Sequence, residues 1–228
     1  LQPTEIKANS LPYSYAHQWY QREEKAAQIH DNYLQHIPWC DLKAFSMLMP
    51  ALPAGSRLQL GNSTPIRYAQ LFRYTQVDRT DANRGTSGID GCTSTAMGAA
   101  STFDGITTLI VGDNSFLYDS NALWIKNCSP SLRIIVIQNG GGGIFRFLEG
   151  PSGLEEVEEY FETPHNVDIE RLVEVHRFKV YRATDAPSLE SALSEFYQPG
   201  RQAAVLIIQT PEKINGKILK GYFQTLKN

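Results

Sequence analysis

Asp113 closes the apolar run Thr107 to Val111, within Gly112-Asp113-Asn114-Ser115, and Asn139 follows a second apolar run, Leu132 to Ile137. Four glycines, Gly140 to Gly143, come directly after Asn139. A carboxylate and an amide oxygen are hard ligands suited to Mg²⁺, and a carbonyl from the glycine turn could add a third. Glycine also lacks the Cβ that would hold main chain away from a diphosphate. Asn114 and Ser115 are residue types that begin helices, and a helix start offers free backbone N–H groups to an anion. Taken singly these signals are ordinary, because an Asp at a strand end is commonly a cap or turn residue and a glycine run a flexible loop. Their combination predicts a metal and diphosphate site.

Such a site needs the two polar residues at neighbouring strand tips. The candidate strands, 57–60, 107–111, 132–137, 179–183 and 203–209, are each short and rich in aliphatic residues. Helical patterns lie at 13–35, 41–52, 64–74, 89–101, 115–126, 169–178 and 188–197. Strand and helix alternate from residue 57 onward, which predicts an α/β fold: a doubly wound, mostly parallel sheet with helices on both faces. Right-handed crossovers bring the C-terminal strand ends to one edge, where ligands bind such sheets. The acidic stretch 149–166 is long for a connection inside a compact domain and is expected to be a lid or mobile segment.

Composition narrows the possibilities. A chain of 228 residues with 42% hydrophobic content can bury a full core. Its net charge of -3 argues against nucleic-acid binding. Cys40, Cys92 and Cys128 show no CxxC spacing, so reduced thiols in a cytoplasmic protein fit better than disulfides or zinc. No apolar run approaches the roughly 20 residues of a membrane span. His17, His30, His36, His165 and His176 are dispersed, and the spacing assigns none of them a role. GxSxG, the Walker A pattern and a strand-linked GxGxxG are absent, which counts against a serine hydrolase, a nucleoside triphosphatase and a dinucleotide dehydrogenase. The chain begins at Leu1, and the expectation is a cut piece of a longer protein.

The Gly-Asp element followed by a distant Asn resembles the signature of thiamine-diphosphate-dependent enzymes. Four segments carry a closer likeness: GNSTPIR (Gly61 to Arg67), NRGTSGIDGCTSTAMG (Asn83 to Gly98), GDNSFLYDSNAL (Gly112 to Leu123) and NGGGGIFRFL (Asn139 to Leu148). In order and spacing they resemble the menaquinone-pathway branch of that family, the MenD synthases. The resemblance implies that Asp113, Asn139 and the Gly141 carbonyl bind Mg²⁺ or Mn²⁺, with Gly142, Gly143 and Ile144 beside the diphosphate and thiazolium of thiamine diphosphate. It implies that Ile89 props the cofactor in a bent shape, that Ser63, Arg67 and Arg84 contact substrate carboxylates, and that Phe145 and Leu148 wall the reacting carbon. Two positions depart from the family pattern: Asn114 stands where Gly is common, and Gly140 where a second Asn is usual.

The implied activity is decarboxylation of 2-oxoglutarate and addition of the succinyl-semialdehyde carbanion to isochorismate. The implied arrangement is a diphosphate-binding domain at 39–228, a helical tail of a preceding domain or linker at 1–38, and a pyrimidine-binding domain supplied by a second subunit of a homo-oligomer. A chain lacking that domain is expected to be inactive alone. Read without the family, Arg67 is equally a solvated surface residue, Arg84 a local partner of Asp81, and Ile89, Phe145 and Leu148 ordinary core. Rival readings are a different thiamine-diphosphate 2-oxoacid carboligase, a non-catalytic module for a phosphorylated ligand, and a nucleotide-binding α/β domain.

Overall fold

The computed structural model describes residues 13–146, 148 and 150–227. Six strands form one all-parallel sheet: β1 (Arg57–Leu60), β2 (Arg79–Ala82), β3 (Thr107–Gly112), β4 (Leu132–Gln138), β5 (Lys179–Ala183) and β6 (Ala204–Gln209). Their spatial order is β2-β1-β3-β4-β6-β5. β3, β4 and β6 are aliphatic and buried almost end to end, as strands covered on both faces must be.

The pleat sends alternate side chains to two cores. Ile110, Ile135, Ile137, Leu206 and Ile208 belong to one, together with α2 (Asp41–Ala51), α3 (Thr64–Ala69), α7 (Ala186–Phe196) and α8 (Asn215–Thr225). Leu109, Val111, Ile134, Val136, Val205 and Ile207 belong to the other, with α4 (Cys92–Ser101), α5 (Asp113–Tyr118) and α6 (Ile169–Val175). Each fully buried aliphatic side chain contributes about 1.5–3 kcal/mol, so the central strands anchor the residues at their tips.

Several elements differ from the sequence expectations. β2, RTDA, has no apolar signature because it is an edge strand with two exposed residues. The helix expected at 64–74 ends at Ala69, and that expected at 89–101 begins only at Cys92. The helix expected at 115–126 is two pieces, six-residue α5 and a 3-10 turn at Ser120–Trp124. α8 has no counterpart in the sequence reading; its NGKILKGYFQT carries two glycines, poor helix formers, yet Leu219 and Tyr222 bury against the core. The leading helix α1 (Tyr13–His36) is exposed along much of its length, while its C-terminal part docks on α8, where Tyr33 Oη donates to the Ile218 carbonyl at 2.8 Å. No helix among the described residues is long and apolar enough to cross a membrane.

From β1 the chain goes outward to β2 and then returns to β3 on the opposite side of β1. This reversal opens a crevice at the C-terminal tips of β1 and β3. Register sets β3 beside β4 with Gly112 opposite Ile137, so Asp113 and Asn139 emerge on adjacent tips.

Candidate functional site

A cleft of about 400 Å³ lies at that crevice. Asp113, only 1% exposed, forms its floor. Asp113 Oδ2 accepts the backbone N–H groups of Asn139, Gly140 and Gly141 at 3.1, 2.9 and 3.2 Å, and Oδ1 accepts that of Asn114 at 2.8 Å. The amides of the glycine turn are therefore wrapped around the protein's own carboxylate rather than turned toward an outside anion. α5, at six residues, is too short for its macrodipole to add much to an anion seat.

Asn139 is held on its far side. Its Nδ2 donates to Asp41 Oδ2 at 2.8 Å, and Asp41 Oδ1 accepts from Thr210 Oγ1 at 2.6 Å. Burial pushes the Asp41 carboxyl up to about 6, against the opposing pull of the Thr210 and Asn139 hydrogen bonds. With Nδ2 engaged, the amide oxygen of Asn139 is the atom left for a ligand. Among the described residues no three His, Cys, Asp or Glu side chains converge as a metal set. A cation here would meet the Asp113 carboxylate, the Asn139 amide oxygen and main-chain carbonyls, a hard-oxygen donor set that fits Mg²⁺ or Mn²⁺.

Of the 149–166 stretch, Glu149 lies outside the described residues, and residues 150–166 cover this end. It contains a short 3-10 turn at Pro151–Gly153 and a π-helical turn at Val157–Glu162. Glu162 makes a two-pronged buried ion pair with Arg146, at 2.7 and 2.5 Å, and its carbonyl accepts from Gly142 N at 2.6 Å. Gly141, at φ +125°, passes so close that a Cβ there would stand 2.4 Å from the Glu162 carbonyl oxygen. Asn114, the departure from the family pattern, ties down the same segment: its Nδ2 donates to Glu162 O at 3.0 Å and Thr163 Oγ1 at 2.8 Å. His165, given no role by its spacing, reaches the site. Its Nε2 stands 3.6 Å from Asp113 Oδ2, an ion-pair separation too long for a hydrogen bond, and has no other polar partner. Contact with the Asp113 carboxylate raises the imidazole pKa, with burial opposing.

The other end of the cleft is cationic. Arg67, one turn into α3, donates to the Ser63 carbonyl at 2.7 Å, and Arg84 donates to Asn62 Oδ1 at 3.2 Å. Asp81, the local partner considered for Arg84, instead takes Arg79 at 2.8 Å. Among the described residues no carboxylate forms an ion pair with Arg67 or Arg84. Burial and then the nearby Arg84 charge lower the Arg67 pKa. Two uncompensated guanidiniums in one cleft are suited to carboxylate ligands. Ser63 adopts φ 72°, a rarely populated backbone state for a non-glycine residue. Asn62 Nδ2 steadies this turn by donating to the carbonyls of Asn83 at 2.7 Å and Gly88 at 2.6 Å.

Ile89 lies in the irregular stretch before α4, its carbonyl held by Ser115 Oγ, and it lines the cleft. Asp119 receives Ser94 N and Ser94 Oγ, both at 2.6 Å, and so caps the first turn of α4. The structure brings Ser63, Arg67, Arg84, Ile89, Gly112, Asp113, Asn114, Ser115, Asn139, Gly141, Gly142, Ile144 and Phe145 to one cleft wall or another. Gly143 and Leu148 are not among the lining residues; the Leu148 amide bonds back to Ile144 O at 3.3 Å. Sequence reasoning missed Asn62, Thr64, Pro65, Ser87, Phe161 and Thr163, which also line it. Asn62 stood in plain view next to Ser63 after β1, whereas Phe161 arrives by a long-range fold of residues 150–166 and packs edge-on to Phe145 at 5.4 Å.

Residues 61–208 match the model for the C-terminal cofactor-binding domain of thiamine pyrophosphate enzymes, and the chain belongs to that family. Its relatives are specific. It is 43% identical over 211 residues to a Porphyromonas gingivalis protein, 42% over 221 to one from Flavobacterium psychrophilum, and 41% over 204 to one from Christiangramia forsetii. Each of these is named 2-succinyl-5-enolpyruvyl-6-hydroxy-3-cyclohexene-1-carboxylate synthase. The alignments cover 92%, 97% and 90% of this chain, but only 37%, 39% and 35% of the relatives. The chain thus spans little more than a third of the proteins it matches.

Proposed function

We propose that this chain is the diphosphate- and metal-binding part of a 2-succinyl-5-enolpyruvyl-6-hydroxy-3-cyclohexene-1-carboxylate synthase. The complete enzyme decarboxylates 2-oxoglutarate and joins the remaining four-carbon unit to isochorismate in menaquinone biosynthesis. The observation that carries the reading is a single cleft with a hard-oxygen cation seat at one end and two unpaired guanidiniums at the other. The two ends match a diphosphate-bearing cofactor and substrates rich in carboxylates.

Within that reading Asp113 and Asn139 hold Mg²⁺ or Mn²⁺, aided by the Gly141 carbonyl. Thiamine diphosphate supplies the electron sink that decarboxylation and carbon–carbon bond formation require. The chain's own residues do the rest. Arg67 and Arg84 orient substrate carboxylates, Ser63 adds a hydroxyl, and Ile144, Phe145 and Phe161 keep water from the reacting carbon. Ile89 supports the cofactor from the β2 side. A pyrimidine-binding domain on a second subunit completes the site, residues 1–38 link to a preceding domain, and the chain alone is inactive. The free, well-separated cysteines support a cytoplasmic setting.

The test is titration of the intact protein carrying this chain with thiamine diphosphate and Mg²⁺, alongside Asp113→Ala. Assays with 2-oxoglutarate and with pyruvate follow. Saturable cofactor binding lost in the variant, with decarboxylation of 2-oxoglutarate, is the expected result. A preference for pyruvate would move the assignment to another 2-oxoacid carboligase, and turnover by the isolated chain would reject its proposed incompetence.

A further inference from the structure

We infer that Asp41 is a positioning residue for the cation seat: it fixes which end of the Asn139 amide faces the ligand. An asparagine amide has two nearly isosteric ends, and only the oxygen can ligate a cation. A free Asn139 would rotate between them. Asp41 removes that freedom, because its Oδ2 accepts Asn139 Nδ2 at 2.8 Å, and a flipped amide would put oxygen against oxygen.

Asp41 is itself immobilised from three directions. Thr210 Oγ1 donates to Oδ1 at 2.6 Å, Asn215 Oδ1 accepts the Asp41 backbone N–H at 2.8 Å, and the first turn of α2 continues from it. Asn215 Nδ2 in turn donates to the Pro211 carbonyl at 2.9 Å. Asp41, Asn139, Thr210 and Asn215 are each at most 4% exposed. The chain of bonds therefore lies behind the cleft rather than in it, and Asp41 does not line the cavity. Asp41, Thr210 and Asn215 also fall outside residues 61–208, the span shared with the broad family. Segments on either side of the common fold thus converge to set one ligand's orientation, the arrangement expected of groups that tune a metal site from behind.

The inference rests on the cation site proposed above, and one experiment separates the two. Mn²⁺ binding to the intact protein is followed by electron paramagnetic resonance with thiamine diphosphate saturating, for wild type, Asp113→Ala, Asp41→Ala, Asp41→Asn and Thr210→Val. Asp41→Ala should weaken Mn²⁺ about tenfold or more, the scale of lost outer-shell support. Asp41→Asn should recover most of that loss, since its amide oxygen still accepts from Asn139 while its Nδ2 can donate to the Thr210 hydroxyl. Thr210→Val should fall between them.

A purely structural Asp41 predicts a different result: a lower melting temperature of the metal-free protein, with Mn²⁺ affinity unchanged in Asp41→Ala. That outcome overturns the inference while leaving the site intact, provided Asp113→Ala loses Mn²⁺. Equal binding by wild type and Asp113→Ala overturns the site itself. If Asp41→Ala does not fold, Thr210→Val decides, and wild-type affinity in that variant counts against the role.

Discussion

The two ends of the cleft are built on opposite plans. At the Asp113 end both oxygens of the carboxylate are already engaged, four backbone amides close on it, and among the described residues its ion-pair partner is the titratable imidazole of His165 at 3.6 Å. At the Arg67 end the charges are left open, steadied only by a carbonyl and an amide oxygen. The first plan fixes in advance the geometry of the cation seat proposed above. The second keeps positive charge uncompensated, so that it is neutralised only when a carboxylate binds. A rigid end for a resident group and an electrostatically unsatisfied end for transient ligands is a division of labour that physical chemistry favours.

The sharpest way to break this contrast is Asp113→Ala. It orphans three turn amides and removes the proposed anionic ligand, so cofactor and metal affinity should fall by more than about 100-fold, with about 3 kcal/mol or more of lost stability. Calorimetric titration and chemical denaturation would check both. If stability fell and metal binding survived, the rigid end would be scaffold alone.

Arg84→Ala should do the reverse. We expect KM for the proposed substrate 2-oxoglutarate to rise about 10- to 100-fold, the worth of a charged hydrogen bond, while melting of the substrate-free protein hardly changes. A clear loss of thermal stability would mean that Arg84 belongs to the rigid end after all.

Glu162→Gln probes the cover over the rigid end. Removing one charge of the pair with Arg146 should cost about 2 kcal/mol, less than a fully enclosed pair because Arg146 is 15% exposed. Hydrogen exchange at the Gly142 amide, which bonds the Glu162 carbonyl at 2.6 Å, should speed up in step. Unchanged exchange would separate the ion pair from the main-chain clasp.

The smallest expected effect is a pH dependence. Because Asp113 raises the folded-state pKa of His165, the stabilisation from their contact is fully present below the unfolded value of about 6.5 and is lost as pH rises through the folded one. The melting-temperature gap between metal-free wild type and His165→Ala should therefore be wider at pH 6 than at pH 8. A gap that widened toward pH 8 would reject the contact.

What could be read in advance, and what could not, follows the range of the interactions. β3, β4 and β6 were legible because a parallel strand covered on both faces must be rich in aliphatic residues, as LRIIVIQ in β4 is, whereas β1 and β5 were read from two or three apolar residues each. β2 was not, since an edge strand with half its residues exposed needs no such pattern. The helix end at Ala69 was misplaced because the residues that follow, QLFRY, include no helix breaker, and the start at Cys92 because Ile89 was counted into a helix that begins only after Gly91, whose φ is 71°.

Chain order alone determined that Asp113 and Asn139 share the C-terminal edge of a parallel sheet; that β3 and β4 are neighbours was decided by the fold, since β2 and β3, or β4 and β5, are also successive and yet lie apart. Only the tertiary structure decided which atom of Asn139 is free, that Arg84 turns from Asp81 toward Asn62, and that Glu162, Thr163 and His165 fold over the glycine turn. Those choices are made by partners 22 to 98 residues away. A side chain's orientation is set by whichever donor or acceptor packing brings within three ångströms, and no local pattern records that.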